Sequence, residues 1–172
     1  MTQWNELMLQ RLRKGDIKAQ ELLYREFSKP VYTAIFKICG NRDLANDLLH
    51  DSFLDAFFQI DKFRTQISIK AWLKRIAINN TVNFLKRSQL ASKYIIDFRN
   101  DDDEYLEKDS TQLLDRLFSE ISAEHRAVIW LFVVEQYKHH EIGEMLGQSE
   151  SYSKSVVSRS LKRLQEQMKE NN

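Results

Sequence analysis

Four aspartates recur every four residues: Asp43, Asp47, Asp51 and Asp55. At helical spacing they form one ridge, and like charges so placed weaken an isolated helix by a few tenths of a kcal/mol per pair. Two readings fit, a solvated face or a docking surface for a basic partner, where complementary charge sets specificity and encounter rate. A second cluster has the opposite character. Trp72, Lys74, Arg75, Asn79, Asn80, Asn83, Lys86 and Arg87 fall within 16 residues. Asparagine is a poor helix former, but its amide both donates to and accepts from base edges. Aromatic rings stack on unpaired bases, and lysine and arginine meet phosphates. The cluster equally accommodates a core Trp72 among solvated amides. A third group lies between 151 and 163, where Lys154, Arg159, Lys162 and Arg163 occur without one acid.

Catalytic signatures are missing by comparison. His50, His125, His139 and His140 do not form His-Glu-x-x-His, and no Gly-rich phosphate loop or Ser/His/Asp pattern appears. His139 and His140 point about 100° apart on a helix, which disfavours a shared metal. Cys39 is the single cysteine, so an internal disulfide framework and a cysteine-rich zinc site are excluded. The expectation is a non-enzyme with no cofactor and no metal.

The elements that must carry these groups follow from composition. Four glycines and one proline among 172 residues are too few for the turns a sheet requires, so the chain reads as all-α. A hydrophobic fraction of 42% supports a core. The start has no basic region followed by an apolar one. The longest apolar run, Ala127 to Val134, has eight residues against about 20 needed to span a bilayer. A cytoplasmic protein is expected.

Helices are predicted over residues 4–13, from an Asp16 cap to about Phe27, and from Pro30, in the first turn behind Ser28, to Gly40. Two more are expected at about 42–60 and 68–89. On the fourth, Leu49, Phe53, Ala56, Phe57 and Ile60 supply the buried stripe. Residues 91–110 lose apolar periodicity and hold three bases against seven acids, which reads as an extended linker. Helical signal returns at 111–118, 122–136, 139–146 and 151–168. Residues 137–147 form a short amphipathic helix ended by glycine. After a short turn, Ser149 can cap the helix whose residues 151–163 hold no acid. That is a helix-turn-helix spacing, whose second helix leads into the major groove with its N-terminal residues. Here those are Ser151, Tyr152, Lys154, Ser155, Ser158 and Arg159, with Lys162 and Arg163 further along; an ordinary helical hairpin also fits the spacing. The expected architecture is two small helical domains, 1–90 and 111–172, joined by the 91–110 linker.

Net charge of +1 taken alone argues against a nucleic-acid binder. Divided by position it separates strongly. Residues 1–90 carry 15 bases and 9 acids, +6; the linker is −4; residues 111–172, with 8 and 9, are −1. Residues 61–90 hold seven bases against Asp61, and residues 41–60 hold four aspartates against Arg42.

Together these residues resemble a family. Ala45-Asn-Asp-Leu-Leu-His-Asp-Ser-Phe53 is similar to the A-E-D-L-x-Q-x-x-F helix of bacterial sigma factors of the extracytoplasmic-function group, within the sigma-70 family. Phe63-Arg64 with Ala71-Trp-Leu-Lys-Arg-Ile-Ala-Ile-Asn79 resembles their F-R…x-W-L-x-R-I-A-x-N segment. Glu141-Ile-Gly-Glu-Met-Leu-Gly147, Lys154-Ser155, Arg159 and Lys162-Arg-Leu164 resemble the pattern E-I-A-E-x-L-G…K-S…R…K-R-L. The resemblance implies a polymerase initiation subunit reduced to its second and fourth conserved domains.

It also implies roles. Asp43, Asp47, His50, Asp51 and Phe53 would bind core RNA polymerase at the β′ coiled coil. The fourth domain would meet the β flap. The loop at 61–70 would capture a flipped base of the −10 element. Phe63, Arg64, Trp72, Arg75, Asn79, Asn80, Asn83, Lys86 and Arg87 would hold the melted strand. Ser151, Tyr152, Lys154, Ser155, Ser158, Arg159, Lys162 and Arg163 would read the −35 duplex. The linker would thread toward the polymerase cleft, and an anti-sigma factor would be a further partner, with no direct membrane insertion. Departures occur at His50, where glutamine is usual, at Gln148, and at Ser153 and Val156, where valine and arginine are common. The rival reading is a stand-alone helix-turn-helix regulator, which accounts for 137–164 but not for the aspartate ridge or the basic fifth helix. A helical interaction adaptor accounts for the ridge alone.

Overall fold

The computed structural model describes residues 4–87, 118 and 121–170. Among these are seven α-helices and no strand: α1 Glu6–Arg13, α2 Ile17–Cys39, α3 Arg42–Phe58, α4 Ile69–Arg87, α5 Ala123–Val133, α6 His139–Leu146 and α7 Glu150–Glu170, with a 3-10 turn at Ile60–Lys62. The all-α expectation is met. The linker expected at 91–110 and the helix expected at 111–118 lie outside the described residues, Phe118 excepted. The chain divides into two compact units, Met1–Phe36 with Arg42–Thr81 and Lys37–Asn41 with Val82–Asn172.

In the first unit the caps are local. Asn5 accepts from the Met8 N–H and starts α1. Asp16 Oδ1 accepts from the amides of Lys18 and Ala19 at 2.9 and 3.1 Å, satisfying donors that the first turn leaves unpaired. Arg11 Nε, 2.8 Å from its other oxygen, and these amides hold the Asp16 carboxyl below its usual range.

The break expected between two helices at Ser28 and Pro30 does not occur, because α2 runs through Pro30 without interruption. Proline there removes the bond to the Glu26 carbonyl and costs about 3 kcal/mol. The helix nevertheless buries Leu23, Phe27, Val31, Tyr32, Ala34, Ile35 and Ile38 along one length. At about 1.5–3 kcal/mol per large apolar side chain, that burial outweighs the missing bond. On α3 the expected stripe is present at Leu49, Phe53, Ala56 and, beyond its end, Ile60; Phe57 is only half-buried.

In the second unit, Ser122 caps α5 through the His125 N–H. The helix ends at Val133, short of the Gln136 expected, and Gln136 takes a φ of 58°. Arg126 is buried beside Phe118 and donates to the carbonyls of Cys39, Ile121, Phe118 and Ile38 at 3.0, 3.1, 3.2 and 3.4 Å. Burial lowers its pKa to about 10 and raises that of the Cys39 thiol to about 11. The guanidinium therefore stays charged at neutral pH, and its buried donors are met by these four carbonyls.

Candidate nucleic-acid and partner interfaces

The face of α3 opposite its core stripe carries the aspartates. Asp43, Asp47 and Asp51 are exposed with His50, whose Nδ1 lies 2.7 Å from the Asn46 carbonyl oxygen. Asp55 departs from the ridge. It is half-buried and accepts from Asn80 Nδ2 at 2.8 Å, the same amide lying 3.4 Å from Ser52 Oγ. Phe53 is 2% exposed with its ring 4.8 Å from that of Tyr24, so it supports the helix and offers no surface of its own. The sequence missed two members of this face: Leu54 and Phe58 are 54% and 85% exposed. They follow His50 at four-residue steps and so continue its side of the helix. The exposed side of α3 thus combines acidic groups with two large apolar side chains at its C-terminal end.

On α4, Arg75, Asn79, Asn83, Lys86 and Arg87 are exposed at spacings of three and four residues, one side of the helix. Asn80 is not part of it. Its amide is spent on Asp55, because the position one residue after Asn79 turns about 100° toward α3. Trp72 is half-buried against Phe63, centroids 5.2 Å apart. Phe63 itself is 3% exposed: a wall beneath the loop, with Arg64 exposed beside it and its guanidinium bonded to the Asp61 carbonyl at 2.8 Å. The loop before α4 borders a cleft of about 820 Å³, lined by residues 65–70 together with Phe63, Phe27, Glu26 and Trp4. Lys86 Nζ donates to the Met145 carbonyl at 3.2 Å, both in the second unit.

The helix-turn-helix rests on a close approach. Gly147 sits in the left-handed region at φ 68° and ends α6. The Gln148 amide returns to the Gly143 carbonyl at 2.8 Å. A Cβ on Gly143 would lie 2.8 Å from the Gln148 carbonyl oxygen and 3.1 Å from the Ser149 carbonyl carbon. Glycine, where the resembling pattern has alanine, thus lets the turn fold back on its helix. At the other end, the Glu141 carboxylate accepts from the Lys138 N–H at 2.7 Å. Ser149 caps α7 as expected, accepting from the Tyr152 N–H at 3.1 Å.

Along α7, Ser153, Val156, Val157 and Ser160 are buried while Ser151, Lys154, Ser155, Ser158, Arg159, Lys162 and Arg163 are exposed on the other side. Val156 packs in the core, so a valine here removes nothing from the exposed face. Tyr152 is half-buried; burial and a hydrogen bond to Glu124 push its hydroxyl up to about 12. Gln148 Nε2 donates to the same Glu124 at 3.3 Å. His139 joins α6 to α7, its Nδ1 3.0 Å from Ser153 Oγ and its ring stacked 4.3 Å from Phe132. Among the described residues no group of three histidines, cysteines, aspartates or glutamates could hold a metal. No described helix is long and apolar enough to cross a membrane.

Known proteins resemble this chain in sequence and in fold. Residues 23–90, which hold most of α2 and all of α3 and α4, match Sigma-70 region 2. The chain is 21% identical over 178 residues to the ECF RNA polymerase sigma factor SigW of Bacillus subtilis, covering 94% of this chain and 95% of that one. Residues 23–90 are thus similar to region 2 of sigma-70 factors, and the chain resembles sigma factors of the extracytoplasmic-function group. The chain is also 31% identical over 81 residues to the ECF RNA polymerase sigma-E factor of Salmonella typhimurium, of whose length the match spans 42%. By fold it is similar to the sigma factor RpoE of Bartonella quintana, co-crystallised with the anti-sigma factor NepR, with a TM-score of 0.60 at 23% identity over 89% of this chain and 98% of that one. It is also similar to CnrH in complex with the cytosolic domain of CnrY, with a TM-score of 0.54 at 16% identity over 96% and 97%.

The chain also has contributors that its sequence motifs did not announce. Trp4 and Glu26, 22 positions apart, meet through the indole Nε1 and Glu26 Oε2 at 3.1 Å. Glu124 binds two groups that follow it by 24 and 28 residues, Gln148 and Tyr152. Contacts at such separations leave no periodic mark in a single sequence. Leu54 and Phe58 were within reach, since they extend the His50 side of a helix whose other side is apolar.

Proposed function

We propose that this chain is a sigma factor that binds core RNA polymerase, recognises the −35 and −10 elements of promoters and stabilises the melted strand. Residues 1–90 bind core and melt the −10 region, residues 111–172 read the −35 element, and residues 91–110 tether them. The observation that carries the reading is the pairing of two unlike exposed faces within Sigma-70 region 2. On α3 an acidic ridge ends in exposed Leu54 and Phe58, and on α4 a basic, amide-rich side is free of acid.

Each face has a task in this reading. Asp43, Asp47, His50 and Asp51 dock on a basic coiled coil of the β′ subunit, with Leu54 and Phe58 desolvated against it and Phe53 holding the helix from beneath. Charge complementarity there favours encounter and selects the partner. Arg75, Asn79, Asn83, Lys86 and Arg87 follow the non-template strand, while Arg64 and Trp72 flank the loop that takes an unpaired base. Cationic grooves and stacking rings together bind single strands. Ser151, Lys154, Ser155, Ser158 and Arg159 enter the major groove, and Lys162 and Arg163 meet phosphates. Tyr152 sits at the helix entrance with its hydroxyl toward Glu124. The fourth domain adjoins the β flap. The sigma factors of similar fold were solved with anti-sigma partners, and we assign this chain a cytoplasmic site of action and an anti-sigma partner of its own.

The test is direct. Purified chain added to sigma-free core polymerase should support transcription from a promoter library, with start sites sharing a −35 and a −10 sequence. Failure to bind core, with no initiation from any promoter, overturns the reading. Specific duplex binding without core would instead identify a stand-alone helix-turn-helix regulator.

A further inference from the structure

The cleft beside residues 65–70 has a wall that lies outside that loop and α4. Trp4, ahead of α1, and Phe27, on α2, bring their rings to within 6.0 Å of one another at 45°, and Phe63 adds a third aromatic side chain. The lining includes two charged groups, Glu26 and Lys70. Trp4 Nε1 donates to Glu26 Oε2 at 3.1 Å, which fixes the carboxylate and leaves its other oxygen unengaged by the indole. At about 820 Å³ the cleft falls in the size range of small-ligand sites, roughly 300–1,000 Å³.

We propose that Glu26, oriented by Trp4, determines which unpaired base this cleft accepts, favouring bases with an exocyclic amino group and rejecting thymine. The inference rests on the sigma-factor reading, which delivers an unpaired base to the loop. An ionised carboxylate only accepts hydrogen bonds. Cytosine and adenine offer an amino group, and guanine an amino group with an adjacent ring N–H. Thymine offers a single ring N–H flanked by two carbonyl oxygens, which the carboxylate repels. Extruded bases are read in this manner, by stacking between rings and by hydrogen bonds to the Watson–Crick edge. Lys70 also lines the cleft and is exposed, and a lysine there can meet the phosphate of a bound strand.

The experiment uses holoenzyme assembled from core polymerase and the full chain, offered a random pool of single-stranded DNA. The wild type should select one position at which thymine is depleted at least about tenfold, the discrimination expected of a good base-edge contact. Glu26→Gln presents an amide that also donates to thymine carbonyls, so depletion should fall below about twofold while affinity for core stays unchanged. Trp4→Phe keeps a ring but releases the carboxylate, and should give an intermediate profile with unchanged thermal unfolding. A Glu26→Gln profile identical to wild type overturns the proposal and leaves the sigma reading standing. A wild-type holoenzyme that selects no strand at all defeats that reading, and the assignment of Glu26 with it.

Discussion

Helices α3 and α7 both turn a polar side outward, and they differ in what accompanies it. The exposed side of α3 is acidic and ends in two large apolar residues, Leu54 and Phe58. The first three turns of α7 expose serines, Lys154 and Arg159, with no large apolar side chain fully exposed. A protein partner desolvates apolar surface and selects by charge. Duplex DNA offers phosphates and base edges, which cations and hydroxyls meet without burying hydrocarbon. The difference is what the proposed roles require, a docking helix in α3 and a reading helix in α7, and each side can be broken independently.

The largest effect is expected from reversing the ridge. Asp47→Arg with Asp51→Arg should weaken core binding by at least about a hundredfold, near 2.8 kcal/mol, with helicity unchanged by circular dichroism because both side chains are exposed. Retained binding would remove α3 from the docking role. Next, Gly143→Ala should lower unfolding stability by about 2 kcal/mol, as expected when a Cβ is forced into a packed backbone. Thermal or urea unfolding reads this, and an unchanged midpoint would show that the turn relaxes cheaply.

Smaller effects distinguish the two helices more finely. Phe58→Ser should cost about tenfold in core affinity, close to 1.4 kcal/mol, and leave duplex binding untouched. Equal loss of both would undo the contrast with α7. Arg159→Ala should reduce use of the −35 element several-fold in transcription assays on promoters with and without it, and should flatten the salt dependence of duplex binding by about one counterion. Core binding should not change; a parallel fall in core affinity would refute a reading role confined to α7.

Particular residues show how far the sequence was legible. The helices at 42–58 and 69–87 were readable from apolar spacing, and the α6–α7 turn from Gly147 and Ser149, because these signals act within a few residues. Pro30 misled for a physical reason: the local cost of proline is real, but burial along α2 is larger and is set by partners distant in sequence. Asn80 misled likewise. Its residue type suits a base edge, yet its angle on α4 sends it to Asp55. Phe53 and Phe63 sit within the family-like motifs but are interior, so a motif there marks the support of a surface rather than the surface itself.

By itself the sequence determined the helical class, the separation of charge into one acidic stretch and two basic stretches, and the motifs that resemble those of sigma factors. These depend on residue type and short spacing, which a linear chain displays directly. Tertiary structure decided which members of each cluster reach solvent, that α2 runs through its proline, that a Cβ at Gly143 would meet the backbone of the turn, and that Trp4 and Glu26 close one wall of the cleft. Each depends on side chains brought together from distant positions, where packing energy rather than local propensity selects the arrangement.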